Sequence, residues 1–154
     1  MADTKKAQSE ALPLSLTRED LAKLELSYGF YSAKTGAGVQ EIFIYGNGSV
    51  RLKRTRAHDA APELREGTLE PEALLRLLQT VEHLGLMTLE DEYPTEERPI
   101  ARRILKLTSP KVNKQVLADE PMAPPEFERL AGALLLAAAQ ATPEALGHRF
   151  FPNL

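Results

Sequence analysis

The sequence contains no cysteine. A disulfide framework, a thiolate zinc site and a cysteine nucleophile are all excluded, and the composition suits a reducing compartment. Long apolar runs are also missing. The longest, Leu130 to Ala139 interrupted by Gly132, covers 10 residues, against the roughly 20 that a membrane-crossing helix requires. Lys5 and Lys6 are not followed by an uninterrupted apolar stretch, so no secretory signal is read and a cytoplasmic location without membrane contact is expected. Neither charge sign dominates: 19 Lys+Arg against 22 Asp+Glu leave a net charge of −3. That balance does not call for a polyanionic partner.

The 154 residues are 43% hydrophobic, enough to bury a single core. Residues 1–16 are polar and small and read as a flexible tail, 17–147 as one domain, and 148–154 as a short apolar tail. Thr17-Arg18-Glu19-Asp20 has the spacing of a capping box. From Leu24 the pattern alternates, with Leu24, Leu26, Tyr28 and Phe30 on one side and Lys23, Glu25 and Ser27 on the other, the pattern of a half-buried strand.

Asn47-Gly48 sits between Val39–Tyr45 and Ser49–Thr55, a strong hairpin signal. A three-residue loop with a left-handed Gly48 puts Ile42 and Ile44 on one face with Val50 and Leu52, and sets Glu41 and Phe43 opposite Lys53 and Arg51. A two-residue turn reverses those faces. A short strand is expected near Arg65 to Thr68. A helix follows from Pro71, carrying Leu74, Leu77, Leu78, Val81 and Leu84 at helical spacing and closed by Gly85. After an acidic connector from Leu86 to Pro99, Ile100–Thr108 and Val112–Leu117 read as a second hairpin. Glu126 to about Ala141 is a second helix. The expected fold is therefore α+β: an antiparallel sheet of two hairpins plus a leading strand, packed against two helices.

No catalytic constellation stands out. The G-x-S-x-G, H-E-x-x-H and G-x-G-x-x-G signatures are absent. Gly29 to Thr35 resembles a phosphate loop but is one residue short, has Ala33 in place of the second glycine and precedes a strand. His58, His83 and His148 are too dispersed to form a local ligand pair, and Glu90-Asp91-Glu92 lacks calcium-loop spacing. No cofactor, metal or enzyme activity is expected. An unfamiliar site joining Tyr28, His58 and Glu92 is the remaining enzymatic arrangement.

Two features point to binding. Helix residues Glu126 to Ala141 carry Phe127, Leu130, Leu134 and Leu135 on one side, while Ala131, Ala133, Leu136, Ala137 and Ala138 leave little polar surface elsewhere. Such a helix needs covering on more than one face, by the tail Phe150-Phe151-Pro152 or by a second protein. Leu130, Leu134, Leu135, Phe150 and Phe151 are therefore the expected contact residues for a protein partner or homodimer. Phe43, Tyr45, Arg51 and Lys53 form the alternative, a basic and aromatic hairpin face suited to RNA or single-stranded nucleic acid.

The stretch from Leu24 to about Leu136, with its Ile42-x-Ile44-x-x-Asn47-Gly48-x-Val50 hairpin, Leu-rich helix and acidic Glu90-Asp91-Glu92-Tyr93 connector, resembles small bacterial α+β domains of unknown function. Those domains commonly carry a Cys-x-x-Cys-Pro-like stretch between the first two strands, and Ser32 to Gly38 has none. A more distant fold-level likeness is to secretion chaperones, small acidic dimers that hold unfolded effectors. The combined expectation is a non-catalytic adaptor, chaperone-like or regulatory module.

Overall fold

The computed structural model describes residues 12–32, 39–55, 62–99 and 101–142. The alternation read from the sequence becomes strands β1 (Glu25–Ser32), β2 (Val39–Tyr45), β3 (Ser49–Thr55) and β4 (Glu63–Thr68). Three more follow: β5 (Glu92–Tyr93), β6 (Ala101–Thr108) and β7 (Asn113–Asp119). They form one seven-stranded sheet of order β4-β3-β2-β1-β6-β7-β5. Every pairing is antiparallel except β5 with β7. The fold is α+β, as expected, but the sheet is wider than two hairpins and a leading strand. The acidic connector supplies the edge strand β5, whose two residues are too few to show alternation.

The hairpin adopts the three-residue loop. Ile44 pairs with Val50, Ile42 with Leu52, Phe43 with Arg51 and Glu41 with Lys53. Gly48, at φ +91°, takes the left-handed conformation that this loop demands. Asn47 Oδ1 accepts a 2.9 Å hydrogen bond from the Ser49 amide and steadies the turn.

Helix α1 (Arg18–Ala22) is held by its capping box: the Thr17 amide donates to Asp20 Oδ2, and the Asp20 amide donates to Thr17 Oγ1, each at 3.0 Å. Helices α2 (Pro71–His83) and α3 (Pro125–Ala141) both begin with proline in the first turn, where a missing amide costs nothing. Left-handed Gly85 follows α2, as its position predicts. All three helices lie on one side of the sheet. There Leu74, Leu78 and Val81 of α2, with Phe127, Leu130 and Leu134 of α3, close over Leu26, Tyr28, Ile42, Ile44, Leu52, Leu105 and Val116.

The expected N-terminal tail is too long. Leu16 is 1% exposed within this core, and Leu12 and Leu14 pack against it. Leucines at alternate positions supply enough apolar area to offset the ordering of a short segment, although proline and serine between them obscure any periodicity.

Candidate functional site

Because the helices all sit on one side, the other face of the sheet is uncovered by any described helix. Its composition follows from the strand registers. One row across it reads Glu66, Arg51, Phe43, Ser27, Lys106, Gln115; the next reads Leu64, Lys53, Glu41, Gly29, Ile104, Leu117, Glu92. A third brings Thr55, Val39, Tyr31, Arg102 and Asp119 together. Phe43, Tyr45, Tyr31, Val39, Ile104 and Leu117 are each half-buried. Leu64, on β4, is 48% exposed.

Charges of both signs frame these apolar groups. Arg51 Nε lies 3.5 Å from Glu66 Oε1, and Arg102 Nε donates a 2.8 Å hydrogen bond to Asp119 Oδ1. That hydrogen bond, supported by the Thr95 amide, holds the Asp119 carboxyl below the usual range for aspartate. The Tyr31 ring folds back over Gly29, where a Cβ would come within 2.7 Å of it. Its hydroxyl donates to Glu41 Oε2 at 3.1 Å. Burial, reinforced by the Glu41 charge, pushes the Tyr31 phenol up to about 12. Tyr45 is raised by burial as well, with Glu25 adding to the effect and Arg51 opposing it.

Under α3, Arg103 is 3% exposed, yet its charge is matched. Its guanidinium pairs with Glu128 in the first turn of α3, and its Nε stands 3.1 Å from Glu120 Oε1 at an angle unsuited to a hydrogen bond. The guanidinium also lies 5.0 Å from the ring centre of Phe127 and 6.0 Å from that of Tyr28. Tyr28 and Phe127 meet edge to face at 6.4 Å. Burial is the main cause that raises the Tyr28 phenol to about 12. With two carboxylates already engaged, this arginine fastens α3 to β6 instead of presenting itself to an anion.

The residues expected to bind fall into three groups. Phe43, Tyr45, Arg51 and Lys53 do come together, all on the uncovered face. Leu130 and Leu134 do not face outward: each is 1% exposed and packed into the chain's own core. The sheet meets the stripe that the sequence left in need of a cover. Leu135 is half-buried, and Leu136 beside it is 67% exposed. Phe150 and Phe151 lie outside the described residues.

Tyr28 and Glu92 do not share a site. They stand on opposite faces, three strands apart, about 14 Å at the usual strand spacing; His58 lies outside the described residues. Asp91 of the acidic connector is tied to β7 through a 2.9 Å contact with Lys114 Nζ. No cluster of three or more metal-ligating side chains occurs among the described residues. No described helix is long and apolar enough to cross a membrane.

Sequence reasoning missed Tyr31, Arg102, Ile104, Lys106 and Leu117 as members of the uncovered face. Alternation in the second hairpin marks one face of each strand, but that this face joins Phe43 and Arg51 depends on β6 pairing with β1, a contact about 75 residues apart in the chain. No protein-family model matches the chain, and no curated protein matches it either.

Proposed function

We propose that the chain is a non-catalytic protein-interaction module that binds a protein partner through the uncovered face of its sheet. The observation that carries this reading is the patch of Phe43, Val39, Tyr31, Ile104 and Leu117, half-buried with no described helix over it and bordered by charges of both signs. An apolar centre with a mixed polar rim is the anatomy of a protein contact. The sheet is the better candidate than the C-terminal helix, whose Leu130 and Leu134 are already spent on the core.

The test compares Phe43→Ser with Ile104→Asp, on the sheet, against Leu136→Asp on the outer side of α3, all in the full chain. Light scattering follows self-association, and nuclease-treated co-purification follows a stoichiometric partner. The expected result is that the sheet variants release the partner or second copy and Leu136→Asp does not. The reverse pattern would return the contact to the helix.

The alternative, single-stranded nucleic acid, is favoured by the shared face of Phe43, Tyr45, Arg51 and Lys53, since aromatics stack bases and cations meet phosphates. The charge of the whole face weighs against it. Arg51, Lys53, Arg102 and Lys106 are outnumbered by Glu25, Glu41, Glu66, Glu92 and Asp119, which leaves no positive field to concentrate a polyanion. Salt-sensitive retention of oligonucleotide that weakens in Arg51→Ala and Lys53→Ala would reverse this preference.

A further inference from the structure

Away from the uncovered face, α1, the β2–β3 turn and the start of α2 border an open cavity of about 710 Å³. Its size is that of a small-molecule site. Leu12, Leu21, Leu69, Leu74 and Leu75 contribute its apolar lining. Leu69 and Leu74 are each 3% exposed and form the rigid backing of the site, while the half-buried Leu12, Leu21 and Leu75 present its accessible apolar surface. The polar lining is unequal in sign. Among the described lining residues Arg18 is the one charged side chain, accompanied by the neutral amides of Asn47 and Gln79. Asn47 uses its oxygen on the Ser49 amide, which leaves its NH2 as a donor.

A long apolar wall with a single exposed cation complements one kind of molecule: an apolar chain ending in an anion. A neutral hydrocarbon would leave the arginine without a counter-charge, and a small hydrophilic anion would leave the leucines wet. We propose that this cavity binds a free medium-chain carboxylate, with its chain against Leu12, Leu21 and Leu75 and its head group on the Arg18 guanidinium. The site is separate from the sheet face and does not depend on the protein-binding reading.

The experiment titrates the full chain with decanoate and, in parallel, with decanol, both below their aggregation limits, and follows heat release and melting temperature. Arg18→Gln removes the charge. Ala22→Trp places a ring at an exposed lining position of α1 and fills the cavity without altering the buried core. Saturable decanoate binding should weaken about two- to fivefold in Arg18→Gln, the range for losing one exposed ion pair. Decanol binding should be unchanged by that substitution, and Ala22→Trp should abolish both. Circular dichroism verifies that each variant is folded. Absence of saturable binding to the wild-type chain, or equal decanoate affinity in wild type and Arg18→Gln, would overturn the proposal. A concentration-dependent increase in mass that disappears in Ala22→Trp, without decanoate binding, would assign the cavity to a second copy and overturn it as well.

Discussion

Ile42 and Phe43 are neighbours in β2 that face opposite sides of the sheet, and replacing each by threonine separates the two sides energetically. Ile42 is 0% exposed, while Phe43 is half-buried on the side that no described helix covers. Threonine keeps the β-branched shape that strands favour, so local propensity changes little. Ile42→Thr removes two carbons from the core, about 1.6 kcal/mol at ~0.8 kcal/mol per methylene. It also buries a hydroxyl, about 1–3 kcal/mol more, for a total of about 2.6–4.6 kcal/mol. Phe43→Thr should cost less, about 1–2 kcal/mol, because its ring is only partly buried. For a chain of this size those losses correspond to falls in melting temperature of about 10 °C and about 3 °C. Urea denaturation and thermal melts followed by circular dichroism measure both. Equal costs, or a larger one for Phe43→Thr, would mean that a packed layer covers the second face and would remove the basis for placing a partner there.

Phe127→Ala should cost about 3–5 kcal/mol, since it empties a fully buried site and strips the ring from both Tyr28 and Arg103; urea denaturation reads the loss. Thr17→Ala should cost about 1 kcal/mol by removing the acceptor of the Asp20 amide, a change seen in the same assay. In an alkaline titration followed by tyrosinate absorbance, Tyr28 and Tyr31 should ionise near 12, and Tyr31→Phe should delete one of these late steps. Because both folded values lie above the reference value of 10, their contribution to stability is complete below pH 10 and is lost as pH rises toward 12. Asp119 has the opposite sign: its pKa lies below the reference value of 3.8, so its contribution is complete above that pH and falls away in stronger acid. Asp119→Asn should flatten the acid limb of the stability curve, as measured by thermal melts across a pH series.

The apolar spacing of residues 24–30, 39–55 and 71–84 reports which side of each element is buried, because burial repeats with the period of the local backbone. The Thr17–Asp20 cap, the Asn47-Gly48 turn and the prolines that open α2 and α3 are equally local, and each formed where its residues predicted. Leu16 was hidden because a single core residue in a short turn has no period to reveal it. Glu92 and Tyr93 were hidden because a two-residue strand is defined by β7 rather than by its own sequence.

The C-terminal helix shows where local information ends. Its apolar character called for a cover, but sequence could not choose between another molecule and the chain's own sheet. Packing on Tyr28 and the strands beside it settled that for Leu130 and Leu134. By itself, then, the sequence determined the α+β class, the alternation of the principal strands and the two registers open to the first hairpin. Tertiary structure alone decided which of those registers holds, that β6 lies beside β1, that the three described helices share one side, and that Phe43, Ile104 and Leu117 meet on the other. The physical reason is that periodicity encodes burial within one element, whereas a surface assembled from several strands depends on pairings between residues far apart in the chain.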